Sequence, residues 1–376
     1  MTQLPDSVRF LHDLVAIASV APDEAIAVDL FITQARSLGM QAFVDEAGNA
    51  HALRATSETQ SQPHIEIALL GHIDTVRGDI PVRIEHGILH GRGSVDAKGP
   101  LAAMLFAASA VNLPSNVTVR VIAAVGEETP LSPGARHLAQ TLCPRACIIG
   151  EPSGWNGVTL GYKGRLIMHA SLLRPSGHSA GPHGSASDAV VAFWQDVLAF
   201  TSGINAGHTG AFETIQASIR SLRDESDVMQ DGAYLTAGFR LPSWMSPQQL
   251  ELCLETIADR SRVTAHFKGH EHAFATDRND PVVRALSCAI RAQSGSPHPK
   301  LKTGTSDMNV VAPIWNCPIA AYGPGDSSLD HTPTEHLQLD EYLRSINVLT
   351  KAIQLLATEL TAPQGELSLA PTNSVS

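Results

Sequence analysis

The feature that most constrains the fold is a change of rhythm. Before residue 150, stretches that are nearly all apolar alternate with amphipathic ones. HIEIALLG (64 to 71), VTVRVIAAVG (117 to 126) and ACIIG (146 to 150) read as strands buried on both faces. AKGPLAAMLFAASAV (97 to 111) and SPGARHLAQTL (132 to 142) read as helices, as does PDEAIAVDLFITQARSLGM (22 to 40), with Pro22 near its start and Gly39 near its end. That order predicts an α/β fold with a mostly parallel sheet covered by helices on both faces. From 165 to 270 the order becomes β-α-β-β-α-β: RLIMHASLL, SDAVVAFWQDVLAF, FETIQASIRSL, AYLTAGFRL, SPQQLELCLETIADR and RVTAHFKGH. This is the ferredoxin-like split βαβ unit, which closes on itself and therefore interrupts the first domain. The α/β character then returns with PVVRALSCAIRAQS (281 to 294), a strand near CPIAAYG (317 to 323) and the helix LDEYLRSINVLTKAIQLLATEL (339 to 360). The expected domains are residues 1–163 with 275–376, and an inserted domain at 164–274. A chain of 376 residues suits two such cores.

Composition excludes several function classes. A net charge of −11 repels nucleic acid, and no basic run or aromatic-basic interleaving offsets it. No apolar run is long enough to span a bilayer. The N-terminus, MTQLPDSVRFLHDLVAIASV, is amphipathic and lacks the basic and apolar regions of a secretory signal. The scattered cysteines 143, 147, 253, 288 and 317 suggest free thiols and a cytoplasmic location. The tail TAPQGELSLAPTNSVS is polar and expected to be mobile.

The chemistry-bearing residues fall where a parallel sheet gathers them. GHID places His72 and Asp74 just past the first core strand, VGEET places Glu127 and Glu128 after the second, and IIGEP places Glu151 after the third. GRGSVDAKG sets Asp96 at a helix entrance, and LDHTP adds His331. Open α/β sheets build ligand sites outside the carboxyl ends of their strands. So many carboxylates in one cleft repel one another unless a cation neutralises them. Mixed His and carboxylate donors suit zinc, whereas magnesium or calcium favours oxygen alone. A pair of such ions, bridged by Asp96 about 3.5–4 Å apart, would lower the pKa of the water between them to roughly 7. Any one of the seventeen histidines taken singly would read as solvated or structural; the set reads as a site.

GHSAG (177 to 181) opens a competing reading. As G-x-S-x-G it would make Ser179 a nucleophile, and the order Ser179, Asp307, His331 formally permits a triad. An elbow needs its helix to begin at the serine. Here Pro182 and Gly184 intervene before the helical pattern near Ser187, and the carboxylate cluster would stay unexplained.

GHIDTV, GRGSVDAKG, VGEE, IIGEPSG and DHTP, in that order over nearly the whole chain, resemble the di-zinc amidohydrolases that include acetylornithine deacetylase, succinyl-diaminopimelate desuccinylase and carboxypeptidase-type exopeptidases. The resemblance implies two Zn2+ per subunit, with Co2+ as an alternative. His72 and Glu151 would hold one ion, Glu128 and His331 the other, and Asp96 would bridge them. Glu127 would be the general base, Asp74 would orient His72, and a cis peptide would follow Asp96. The inserted domain would be a lid that forms a homodimer, with His178 reaching across it to polarise the scissile carbonyl. Arg240 would grip the substrate α-carboxylate, although Gly238 stands where relatives have a supporting Asp. Gly304 and Thr305, in KTGTSDMN, would offer N–H groups to a carboxylate beside the helix N-cap Ser306.

RGSVDAKGPLAAM, KTGTSDMNVVAP and YGPGDSSLDHTP are most similar to members that release lysine or ornithine from a small acidic amino-group carrier protein. Docking that carrier on an acidic enzyme implies a basic patch, for which Lys163, Arg165, Lys300 and Lys302 are candidates. The alternatives are a deacylase of acetylornithine or another free N-acyl amino acid, and a metal-binding scaffold on an inactive enzyme. The presence of Glu127 with a full ligand set weighs against the scaffold.

Overall fold

A computed structural model describes residues 4–55, 64–178 and 184–362; Ser179 and the C-terminal tail from residue 363 lie outside them. Four parallel strands form the centre of a nine-stranded sheet, in the order Val117–Ala124, Ile65–His72, Ala146–Gly150 and Ile319–Ala321. Side chains alternate along them. Ile67 and Leu69 join the core under helices Asp6–Val15, Lys98–Ala110, Pro281–Ala292 and Leu339–Thr361, while Ala68 and Leu70 join that under Pro133–Thr141 and Asp307–Trp315. Two covered faces explain the unbroken apolar sequence of these strands.

The sheet is mixed, with antiparallel strands flanking its parallel centre. Gln41–Val44 and Ala50–Ala55 form a hairpin that pairs antiparallel with Val117–Ala124. Its turn is set by Asp45, whose Oδ1 accepts from Ala47 N and Asn49 N, both at 2.9 Å, and so short a connection can join only antiparallel neighbours. On the other flank Gly157–Tyr162 runs antiparallel to Ile319–Ala321 and to Phe274–Ala275, and parallel to His298–Lys302. A separate three-stranded sheet, His336–Gln338, Ile88–His90 and Arg83–Glu85, joins chain segments distant in sequence.

The inserted unit is a four-stranded antiparallel sheet in the order Gln216–Asp224, Gln230–Leu241, Gly164–Pro175, Thr264–Glu271. Helices Ala186–Ile204 and Pro247–Ser261 cover one face, and Leu166, Met168, Phe193, Leu235, Phe239 and Leu254 form its own core. This is the strand order of the split βαβ unit. Both helices open with a capping box, on Ser185 and Ser246. The chain leaves and re-enters the larger unit beside one residue: Asn309 Nδ2 donates to Lys163 O at 3.1 Å and to His272 O at 2.8 Å. Among the described residues no helix is long and apolar enough to cross a membrane.

Candidate functional site

The site starts at the C-terminal end of Ile65–His72. His72 is 2% exposed, and its Nδ1 lies 3.0 Å from the backbone carbonyl of Asp74. A carbonyl only accepts, so Nδ1 carries a proton and Nε2 is the nitrogen turned toward Asp96 Oδ1, 3.2 Å away, and Glu151 Oε1, 3.9 Å away. The Asp74 carboxylate is fully buried and has a second task. Its Oδ1 and Oδ2 accept from Glu127 N and Glu128 N, each at 3.0 Å. One aspartate thus sets both the His72 ring and the loop that carries the two glutamates.

Asp96 precedes helix Lys98–Ala110, and the Asp96–Ala97 peptide is cis. Its other oxygen, Oδ2, lies 3.0 Å from His331 Nε2, which lies 2.9 Å from Glu128 Oε1. Asp96 therefore has one imidazole on each oxygen, with Glu151 beyond the first and Glu128 beside the second. Three donor groups, each with its ligand atoms within 4.8 Å of one another, result: His72–Asp96–Glu151, His72–Glu127–Glu128 and Asp96–Glu128–His331.

Electrostatics follow from packing acids in a buried cleft. Burial, reinforced by the Asp96 charge, pushes Glu151 up to about 8. Burial also raises Glu127 and Glu128, with His72 and His331 working in the opposite direction. Burial opposes ionisation of Asp96 too, yet hydrogen bonds to His331 and His72 hold it well below the usual carboxylate range. His331 rises to about 10 through its bonds to Asp96 and Glu128. Acids pressed together in this way call for a cation.

A cavity of about 450 Å³ opens over these donors, lined also by Tyr162, Arg240, Lys302, Gly304, Thr305 and Asp330. Arg240 Nη1 donates to Thr305 Oγ1 at 2.9 Å, joining the inserted unit to the loop before Asp307–Trp315. Ser306 caps that helix, accepting from Met308 N at 3.2 Å. At Gly238 a Cβ would lie 2.5 Å from Nε of the exposed Arg220 side chain, which would have to swing aside to admit the Asp of relatives.

His178 is not brought to the donors within the chain. It is exposed and lines a different cavity, beside Arg174, Asp188 and Asp231. Three of the four docking candidates are already engaged. Lys163, fully buried, donates to Ala211 O and Thr214 O; Arg165 donates to Pro130 O at 2.8 Å; and Lys300 donates to Ser153 O at 2.5 Å. Lys302 alone among them lines the cavity.

Sequence reasoning missed Glu335. Its buried carboxylate accepts from Val95 N at 2.9 Å and Asp96 N at 3.1 Å through Oε1, and from Arg92 Nη1 at 2.7 Å through Oε2. It fixes the backbone of Asp96 from four residues beyond His331, and the signal available was its place in DHTPTEH. Lys98 was also missed; its buried ammonium donates to Leu14 O at 3.1 Å and Ile17 O at 2.6 Å.

A carboxylate flanked by two imidazoles and further carboxylates, at the ends of parallel strands, defines a hydrolase of the metal-dependent class. Residues 68–355 match Peptidase family M20/M25/M40, and the chain belongs to that family. It is 43% identical to the [LysW]-lysine hydrolase of Deinococcus radiodurans, over 95% of this chain and 99% of that protein. It is 32% identical to the [LysW]-lysine/[LysW]-ornithine hydrolase of Sulfurisphaera tokodaii, over 77% of this chain and 81% of that one. The fold matches an M20 family metallo-carboxypeptidase from Sulfolobus solfataricus with a TM-score of 0.76 at 16% identity, covering 94% of this chain and 100% of the other.

Proposed function

We propose that the protein is a cytoplasmic hydrolase of lysine and arginine biosynthesis. It cleaves the amide joining the α-amino group of lysine, or of ornithine, to the C-terminal glutamate of an amino-group carrier protein. The observation that carries this reading is the 43% identity, across 95% of the chain, to a protein described as [LysW]-lysine hydrolase.

The donor groups fit two divalent ions, one held by His72 and Glu151, the other by Glu128 and His331, with Asp96 shared. Imidazole with carboxylate favours zinc, with cobalt an acceptable substitute. Such ions, when bound, supply Lewis acidity for the scissile carbonyl and acidify a water. Glu127 takes the proton of the attacking water and delivers it to the nitrogen of the departing amine. Asp74 keeps Glu127 and His72 in register through the contacts already described. Arg240, with the Gly304–Thr305 loop, receives the α-carboxylate of the released amino acid. In a homodimer formed through the inserted unit, His178 of a second copy would polarise the carbonyl.

The test is to incubate purified, metal-loaded enzyme with lysine-loaded carrier and, separately, with N-acetylornithine. Chelator-sensitive release of lysine from the carrier, with slow turnover of the small substrate, is the expected result. Fast turnover of N-acetylornithine and none of the carrier would make the protein a small-molecule deacylase instead.

A further inference from the structure

The cavity over the donors holds one carboxylate more than the proposed reaction uses. Asp96, Glu128 and Glu151 go to the ions and Glu127 to the proton, which leaves Asp330 without a task. It stands between the 3₁₀ turn Ser327–Leu329 and His331, and it lines the cavity together with Arg240, Lys302 and Thr305. Its Oδ1 is sealed from solvent and makes no hydrogen bond among the described residues. A buried carboxylate oxygen left in that condition carries a desolvation cost. Such a group in a native protein calls for a partner that completes it, whether water, ion or ligand. The cationic groups sharing the cavity are occupied differently: Arg240 is turned to Thr305, and Lys302 Nζ lies 5.9 Å from the centroid of the Tyr162 ring.

We propose that Asp330 is a specificity-determining residue that pairs with the side-chain ammonium of the amino acid being released. This rests on the reading that the leaving group is lysine or ornithine. Both end in a primary ammonium on a flexible aliphatic chain and differ by one methylene. The Asp330 carboxylate, which lines the cavity and has one oxygen without a hydrogen bond among the described residues, can meet either, whereas a neutral side chain of equal length would leave that charge unpaired. Arg240 at the α-carboxylate and Asp330 at the far end then hold the two charged ends of one molecule. A site that presents a buried polar group rejects an analogue unable to satisfy it far more strongly than an apolar pocket rejects one of different size.

The experiment compares wild type with Asp330→Asn, which keeps the shape and removes the charge. Metal content is measured in both. Release of lysine and of norleucine from the same carrier is followed, and binding of free lysine and free norleucine is measured by calorimetry. Wild type should prefer lysine by about 10⁴-fold in kcat/KM. The variant should bring that ratio close to one, with metal content retained and the preference for free lysine likewise lost. An undiminished lysine preference, an equal fall for both substrates, or loss of metal would overturn the assignment. If wild type releases neither amino acid from the carrier yet binds free lysine in an Asp330-dependent way, the proposed reaction fails while the role of Asp330 stands.

Discussion

Glu127 lines the cavity half-buried and Glu335 is fully buried, and opposite tasks follow from their partners. Glu127 shares a donor group with His72 and Glu128, and burial raises it toward the range where a carboxylate can take and return a proton. Glu127→Gln should lower kcat by about 10²–10⁴ with metal content unchanged, measured by turnover beside elemental analysis; unchanged turnover would remove Glu127 from the proton path. Among the described residues the Glu335 carboxylate takes its hydrogen bonds from the Val95 and Asp96 amides and from Arg92. Glu335→Ala leaves that guanidinium without its carboxylate, keeping only the bond from Nε to Gly78 O, and should cost about 3–5 kcal/mol in chemical denaturation. It should also weaken metal binding by about 10–100-fold, because Asp96 loses its support. The imidazoles make a third forecast. His331 is raised to about 10 and His72 is raised as well, so without metal both keep a proton at neutral pH. Loading must displace protons, and apparent affinity should therefore climb as pH rises through neutrality. Calorimetry in buffers of different ionisation enthalpy should register proton release, and an absence of release would contradict these shifts. Four of the five proposed ligands were legible in the sequence because each follows a recognisable strand or opens a helix, whereas His331, in a loop, was reached through its LDHTP motif. Glu335 and Asp330 were not, since an acid in a polar loop looks solvated until its buried surroundings are seen.

Among elements, the two crossings between the units rest on a compact set of side chains. Asn309 holds Lys163 and His272 by their carbonyls. Arg165, just inside the insert, bonds Pro130 O in the loop that follows Glu127 and Glu128, and Glu271 accepts from Arg136 on helix Pro133–Thr141. Movement of the inserted sheet is therefore mechanically connected to the glutamate loop. Asn309→Ala removes the donor from the buried Lys163 carbonyl and the part-buried His272 carbonyl and should cost about 1–3 kcal/mol. It should also speed amide hydrogen exchange near residues 163 and 272, and unchanged exchange there would show that the crossings are held by other contacts. The long elements could be read from periodicity: ACIIG ends where expected, and the β-α-β-β-α-β block has its expected topology. Phe274–Ala275, Arg83–Glu85 and His336–Gln338 could not, because two or three residues carry no period; the first and last pair far along the chain, and Arg83–Glu85 pairs across a tight turn with the equally short Ile88–His90. The antiparallel flanks escaped for a related reason: a short turn sets one, and pairing with strands far along the chain sets the other.

For the whole molecule, an acidic chain of net charge −11 gathers its most strongly interacting acids around a single cleft. That concentration is tolerable in a folded protein only if cations are part of its working state. Fold, family and proposed chemistry all meet at Asp96, whose two oxygens face different imidazoles from opposite ends of the sequence. The most direct measurement is anomalous diffraction at the zinc absorption edge from crystals of metal-loaded protein. Two peaks about 3.5–4 Å apart, on either side of the Asp96 carboxylate, one against His72 and Glu151 and the other against Glu128 and His331, are the predicted result. A metal-replete crystal with no peak among these residues would contradict it.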